Sequence, residues 1–243
     1  MRSQRNWTHV RAGRNLRRHC KHFRKSAKKK ILSGKRFLIT AGPTRERIDP
    51  VRFISNFSSG KMGYALAEAA VEMGAKTTLI SGPTELRIPG GVKLIKIEST
   101  EQLHQAVESE FDHCDCLVMA AAPADYGPVA IVNSKIKKSS DELSLSLRPT
   151  VDILKSLQAK KRSDQRIIGF ALETENGLAN ARGKLVDKNL DAIVLNHPTE
   201  NTGFNSDTNQ VTVIRRDNEP EPIPLLPKTQ LAVKILEMVV DIL

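Results

Sequence analysis

The chain has 243 residues, room for one large domain or two small ones, and a domain of this size buries about three quarters of its unfolded surface without disulfide support. Aromatic residues make up only 4%, with one Trp and two Tyr, which argues against a base-stacking nucleic-acid platform. The formal net charge of +11 is local: residues 1–34 hold twelve Lys and Arg and no Asp or Glu, leaving 26 basic against 27 acidic residues, a net of −1, in the remainder.

Residues 1–34 read as a disordered basic N-terminal tail, because their few apolar residues cannot build a core. Residues 35–243 read as one folded domain. The tail is Arg-rich and acid-poor. That composition fits an organelle transit peptide, a start codon placed too early or a nucleic-acid arm, and it lacks the apolar stretch of a secretory signal. No run of eighteen apolar residues occurs, so no membrane span is expected. Cys20, Cys114 and Cys116 are too few for a disulfide framework and fit a reducing, cytoplasmic setting. The Cys114-Asp115-Cys116 triplet beside His113 reads as a strand entry, because zinc sites usually need a second ligand pair.

Taken in chain order, residues 36–42 form a short apolar strand ending in Gly-Pro, and 43–59 a long polar loop. Residues 60–74 have helical spacing, with Met62, Leu66, Ala69, Ala70 and Met73 on one side and Gly74 as a stop. Strands follow at 76–81, again before Gly-Pro, and at 92–97. A helix over 100–110 is capped by Ser99 or Thr100, and a doubly buried strand spans 116–121. Residues 143–147 alternate polar and apolar, as an exposed or dimerising strand would. A helix over 151–159, a strand at 166–172, a helix over 176–188, strands at 192–196 and 210–215 and a closing helix over 228–242 complete the chain. This alternation predicts an α/β fold: a doubly wound, mainly parallel Rossmann-like sheet with a C-terminal β extension and closing helix.

In open α/β sheets, ligands bind beyond the carboxyl ends of the strands. Five segments stand at such ends or on facing helices. In NFSSGKMG (56–63), Gly60 and Gly63 permit close backbone approach, and Ser58, Ser59 and Lys61 add donors at a helix start suited to phosphate. A tight helix–strand packing turn is the alternative. The stretch fails both common nucleotide patterns: Ser55 stands where GxxxxGK[ST] needs its first Gly, and Ser58 where GxGxxG does. Small residues at 120–124 would let a planar ring approach, with Asp125 as a lone acid able to bind a ribose or a metal ion, or to sit in a turn. Lys135-Ile136-Lys137-Lys138 is a basic run of the kind usually found in solvated loops. Lys184 and Lys188 share a helical face, where like charges repel by a few tenths of a kcal/mol unless an anion lies between them. Phe170 is an aromatic at a strand end, which core packing would also explain. Only His104, His113 and His197 lie beyond the tail, none in a recognisable catalytic setting, so a protein nucleophile has little support.

Together these segments resemble the phosphopantothenoylcysteine synthetase family, the amide-forming enzymes of coenzyme A biosynthesis. The resemblance runs from about 36 to 243. It rests on ITAGPTRERIDPVRFISNFSSGKMG (39–63), MAAAPADYGP (119–128), KIKK (135–138), GFALETE (169–175), ARGKLVDKNLDAIVLN (181–196) and TGFNSD (202–207), in order and at matching spacing. Many bacterial relatives carry a flavin-dependent decarboxylase domain ahead of this one. The 34-residue tail is too short for it, so a free-standing synthetase is expected.

The resemblance implies a reaction. The carboxylate of 4′-phosphopantothenate attacks the α-phosphate of a nucleoside triphosphate, CTP in bacterial relatives, with Mg²⁺. The resulting acyl-nucleotide is opened by the amine of L-cysteine, releasing CMP. It also implies roles. Asn56 serves the acyl-cytidylate step through its amide, Arg52 is a nearby functional arginine, and Lys135 contacts the nucleotide and serves the second half-reaction. Asp125, Phe170, Lys184 and Lys188 bind nucleotide, as do the backbone of Met119, Ala120 and Ala121 and the amides of Val151, Asp152, Ile153 and Leu154. Asp125 is also the candidate metal ligand. Where the family has Lys-Asn-Pro before that Asp, this chain has Pro149-Thr150-Val151. Pro123 replaces a Val, and Gly127 an Arg. Family relatives are homodimers, and neither a membrane nor a nucleic acid is expected as a partner. Two other functions compete: an NAD(P)-binding oxidoreductase, disfavoured by the failed GxGxxG and the absence of an acid at Ser81-Gly82-Pro83, and a basic-tailed nucleic-acid binder, disfavoured by the near-neutral body.

Overall fold

The computed structural model describes residues 30–138, 142–173, 175–197, 205–216 and 218–243. Residues 1–29, most of the expected tail, lie outside the described residues. The boundary expected after residue 34 moves back. Leu32 is buried, its N–H donates to Met73 O, and residues 31–34 form a turn against the first helix.

Strand β1 (Arg36–Ala41) leads into a hairpin of β2 (Arg45–Arg47) and β3 (Phe53–Ser55), then α1 (Lys61–Glu72). Next come β4 (Lys76–Ser81), β5 (Val92–Lys96), α2 (Thr100–Phe111) and β6 (Cys116–Met119). A second small pair, β7 (Tyr126–Pro128) with β8 (Leu147–Pro149), precedes α3 (Ile153–Ser156), β9 (Arg166–Leu172), α4 (Gly177–Asp187) and β10 (Ala192–Asn196). Strands β11 (Thr208–Arg215) and β12 (Glu221–Pro227) and helix α5 (Lys228–Val240) close the chain.

The main sheet has the order β12-β11-β10-β9-β6-β1-β4-β5. Its six strands from β10 to β5 are parallel, and the hairpin β11–β12 joins antiparallel. Counted along the chain, the parallel strands run 3-2-1-4-5-6, the doubly wound order whose reversal lies between β1 and β6. Strand residues divide between two cores. Phe37, Ile39, Cys116 and Val118 join Leu66 and Ala70 of α1 and Leu231 and Ile235 of α5 on one face. Leu38, Leu117 and Met119 join Leu103, Val107 and Phe111 of α2 and Ala181 and Leu185 of α4 on the other. Each such buried aliphatic or aromatic side chain contributes about 1.5–3 kcal/mol relative to exposure.

Three local expectations change. The stretch 43–59 is not all loop, because Arg45–Arg47 and Phe53–Ser55 pair across the turn at Asp49-Pro50. Residues 143–146 are not a strand. The pairing starts at Leu147, opposite Pro128. The helix at 151–159 shrinks to the single turn of α3 plus a 3₁₀ turn at Gln158–Lys160, with Asp152 capping the Lys155 amide. Cys114 and Cys116 are free and buried, and burial pushes the Cys114 thiol up to about 11, so both are inert core residues. Among the described residues, no helix is long and apolar enough to cross a membrane.

Candidate active site

The crevice at the sheet's reversal is floored by the segment leaving β6. Thr40 Oγ1 in β1 accepts from Ala121 N at 3.0 Å, Ala122 N donates to Gly42 O at 2.9 Å, and Pro43 bridges Ala122. Beneath the segment, Thr44 Oγ1 accepts from Ala124 N at 2.9 Å and meets Thr100 Oγ1 at 2.9 Å. Glu46 accepts from the Thr100 N–H and hydroxyl, both at 2.8 Å, which ties the start of α2 to the hairpin. On the other side, Thr150 donates its hydroxyl to Ala124 O at 2.7 Å and its N–H to Asp125 O at 2.9 Å. The Pro149-Thr150-Val151 departure therefore brings its own support for the strand-end loop.

Asn56 stands directly over this loop. Its Nδ2 donates to Ala122 O at 3.2 Å and Pro123 O at 2.9 Å. Through these two bonds the amide anchors the approach to α1 onto the loop that leaves β6. Met119, Ala120 and Ala121 line the same strand end, and Asp125 is exposed at its rim.

Gly60 N-caps α1 in the left-handed region, φ 78°, where a Cβ would lie 2.7 Å from Thr84 Cγ2. Among the described residues no side chain caps this helix start, and no acid lies in its first turn to compete with an anion. Ser58 Oγ accepts from Gly60 N, and Ser59 lies beside it. Gly63 is buried and has a packing reason of its own: a Cβ would meet Ala41 Cβ at 2.5 Å and Thr40 O at 2.8 Å. Lys61, partly exposed, donates to Asn205 O at 2.8 Å and pairs with Asp207 at 2.6 Å.

A third group lies across the sheet. Lys184 pairs with Glu173 at 2.5 Å, and Lys188 with Asp152 at 3.1 Å. The Lys184 bond holds the Glu173 carboxyl below its usual range. Phe170, on the other face of the sheet, is half-buried against the core that α1 and α5 cover. Val151, Ile153 and Leu154 flank Asp152, with Ile153 buried. Val151 also lines a cleft between the hairpin, the start of α2 and β7–β8, and it is the only expected site residue there.

The fourth group is basic. Arg52, Lys135, Lys137 and Lys138 line one open cavity with Glu142 and Leu143. Arg52 reaches the lysine loop directly, donating to Ile136 O at 2.7 Å. The structure thus unites Arg52 with Lys135, Asn56 with the strand-end loop, and the two helical lysines with acids. No bond among the described residues joins the Arg52 group to Asn56. Among the described residues no cluster of three or more Asp, Glu, His or Cys side chains forms a ready-made metal cage. At Asp125 a divalent ion would complete its shell with water and phosphate oxygens, as Mg²⁺ commonly does.

The acids and hydroxyls that hold these groups, Asp49, Glu173, Thr44, Thr100 and Thr150, carry little sign of that role in the sequence. Asp49-Pro50 was the one legible sign, because Asp-Pro initiates turns.

Residues 32–243 match the family described as the DNA/pantothenate metabolism flavoprotein C-terminal domain. A "Coenzyme A biosynthesis bifunctional protein CoaBC" of Bacillus subtilis (strain 168) is 47% identical over 208 residues, 85% of this chain and 51% of that protein. A "Cysteine/Cysteine sulfinic acid decarboxylase" of an unknown prokaryotic organism is 42% identical over 221 residues, 90% of this chain and 62% of that protein. The chain therefore spans only part of each of these relatives. A crystal structure of the C-terminal domain of coenzyme A biosynthesis bifunctional protein CoaBC superposes with a TM-score of 0.76 at 43% identity, covering 88% of this chain and 98% of that one.

Proposed function

The chain belongs to the family of the DNA/pantothenate metabolism flavoprotein C-terminal domain, and from that premise we propose that it joins 4′-phosphopantothenate to L-cysteine in coenzyme A biosynthesis, through an acyl-nucleotide made from CTP. The observation that carries the reading is the match to nearly the whole CoaBC C-terminal domain. The geometry supports it, because the reaction brings two anions together and needs cations and oriented N–H groups more than a protein nucleophile.

In the first step the substrate carboxylate attacks the α-phosphorus and pyrophosphate leaves. The amides at the start of α1, with Ser58 and Ser59, suit phosphate oxygens, and Lys184 and Lys188 suit the nucleotide's charge. Asn56 would serve the acyl group in this step, and its bonds to Ala122 O and Pro123 O, which fix the strand-end loop, support that role. In the second step the cysteine amine attacks the acyl carbon and CMP leaves, with Lys135 and Arg52 as the cations for this transfer. Mg²⁺, when bound at Asp125 and the phosphates, would neutralise charge on the triphosphate. Holding three substrates in register supplies much of the remaining acceleration.

The working form would be a cytoplasmic homodimer. Phe53, Phe57, Tyr126, Ile131, Leu143 and Leu147 are exposed on and around the two small strand pairs, apolar side chains that a second copy would cover. Sedimentation of the full chain tests this, and a monomer at micromolar concentration would refute it.

The function is tested by supplying phosphopantothenate, cysteine, Mg²⁺ and each nucleoside triphosphate in turn, and following pyrophosphate and nucleoside monophosphate. Cysteine-dependent CMP release is expected. Absence of a cysteine adduct with every nucleotide, or carbon dioxide released from cysteine alone, would overturn the reading.

A further inference from the structure

We propose that Asp49 is a positioning residue that locks Arg52 and the Lys135 loop into one unit, an inference that rests on the ligase reading for its catalytic meaning. Asp49 sits in the turn between β2 and β3, yet it is only 1% exposed. An ionised carboxylate can only accept, and here every bond is an acceptance. Its Oδ1 takes the N–H groups of Val51 at 2.8 Å and Arg52 at 2.9 Å. Its Oδ2 takes Arg52 Nε at 3.0 Å, Arg52 Nη2 at 2.5 Å and the Ile136 N–H at 3.1 Å.

The last bond reaches 87 residues along the chain. Arg52 returns to the same residue, with Nη2 donating to Ile136 O at 2.7 Å. Ile136 is thus gripped at both its N–H and its C=O. A third strap runs from Val132 N to Ile48 O at 3.0 Å. Lys135 lies between these anchors, with an exposed side chain beside Arg52 in the basic cavity. Among the described residues four cations line that cavity with one acid, Glu142, and like charges this close repel one another. The buried carboxylate opposes that repulsion, because it neutralises Arg52 and, among the described residues, is the one side-chain acceptor to which both the arginine and the loop amide bond. Holding Lys135 and Arg52 at a fixed separation is what an acyl transfer needs from two cations that must reach one substrate.

Asp49→Asn keeps the size but sets an amide NH₂ or a neutral oxygen against several donors. Limited trypsin digestion of the full folded chain reads the clamp directly. Cleavage after Lys135, Lys137 and Lys138 is expected to accelerate by about tenfold, with other sites and the thermal midpoint little changed. Unaltered cleavage at these lysines in a folded variant would overturn the clamp. If the variant does not fold, hydrogen exchange on the unmutated chain decides. A protected Ile136 amide within the exposed lysine run is expected, and exchange at the rate of a free loop would overturn it.

A double-mutant cycle separates positioning from general structure. Asp49→Asn should slow cysteine-dependent CMP release by roughly ten- to a hundredfold, but by less than about twofold in a Lys135→Gln background. Additive losses would show that Asp49 does not act through Lys135. A wild-type chain with no ligase activity would overturn the proposed function alone, and digestion and exchange would still decide the clamp.

Discussion

Asn56 Nδ2 lies 3.2 Å from Ala122 O and 2.9 Å from Pro123 O, so one side chain ties the approach to α1 onto the loop that leaves β6. Asn56→Asp replaces this donor with a carboxylate facing two carbonyl oxygens. The variant should both release the loop and set a charge beside an anionic intermediate. Pyrophosphate release in the first half-reaction is expected to fall by about a hundredfold or more, with the far-ultraviolet spectrum unchanged. Near-normal pyrophosphate release would exclude Asn56 from the activation step.

Lys184 and Lys188 are each paired with a carboxylate but remain partly exposed, at 46% and 29%. Pairs this open contribute about 0–1 kcal/mol, so a triphosphate can take the lysines from their partners. Lys184→Ala and Lys188→Ala should each raise the nucleotide KM by about tenfold, the value of a charge-assisted hydrogen bond, with little change in thermal stability. Glu173→Gln should lower the nucleotide KM, because it frees Lys184. Steady-state kinetics with varied nucleotide distinguishes these outcomes, and a raised KM in Glu173→Gln would mean that Glu173 itself serves the ligand.

Gly63 and Gly183 both lie in helices and should answer the same substitution with opposite signs. At Gly63 a methyl group would press on Ala41 and Thr40 of β1, at 2.5 and 2.8 Å. Overpacking of this kind costs about 1–3 kcal/mol. Gly63→Ala should therefore lower the thermal midpoint by about 2–4 °C for each kcal/mol lost. At Gly183 nothing lies within 4 Å, and Gly183→Ala should stabilise the chain by up to about 1 kcal/mol through helix propensity. Calorimetry of the two variants tests the contrast.

Asp49 sets an acid limit on stability. Burial pushes its carboxyl up, but the N–H groups of Val51 and Ile136, the Arg52 guanidinium and the Arg52 N–H outweigh burial and hold it well below the usual carboxylate range. A folded pKa below the unfolded one stabilises the fold above the unfolded pKa of about 4 and is lost as the pH falls toward the folded value. The urea midpoint should fall between about pH 5 and pH 3, and fall less steeply in Asp49→Asn. Equal slopes in the two proteins would show that Asp49 is not held ionised.

The parallel core was legible because its strands are short apolar runs bounded by Gly-Pro or by helical spacing: Leu79 and Ile80, Leu117 and Val118, and Ile167 and Ile168 declare themselves. Strand β12 did not. Its sequence, EPIPLLP, carries three prolines, which argue against a strand unless it lies at an edge, and only the tertiary arrangement puts it there. The hairpin β2–β3 was hidden in a polar stretch whose turn is held by Asp49, a residue that bonds Val51 and Arg52 beside it and Ile136 far along the chain. Site residues were visible as types and spacings. What holds them was not, because Thr44, Thr100 and Glu46 are ordinary surface residues until the fold buries or pairs them.

The free edges of the eight-stranded sheet have a consequence for the chain's solubility. Strand β12 ends one side, and three of its seven residues have no N–H to offer. Strand β5 ends the other, and its sequence, VKLIK, sets two lysines along it. Both are devices that deny an incoming strand a place to pair. Fibrillar growth by edge-to-edge addition is therefore blocked at both ends of the sheet, and copies of this chain at high concentration are steered away from cross-β aggregation toward association through side chains.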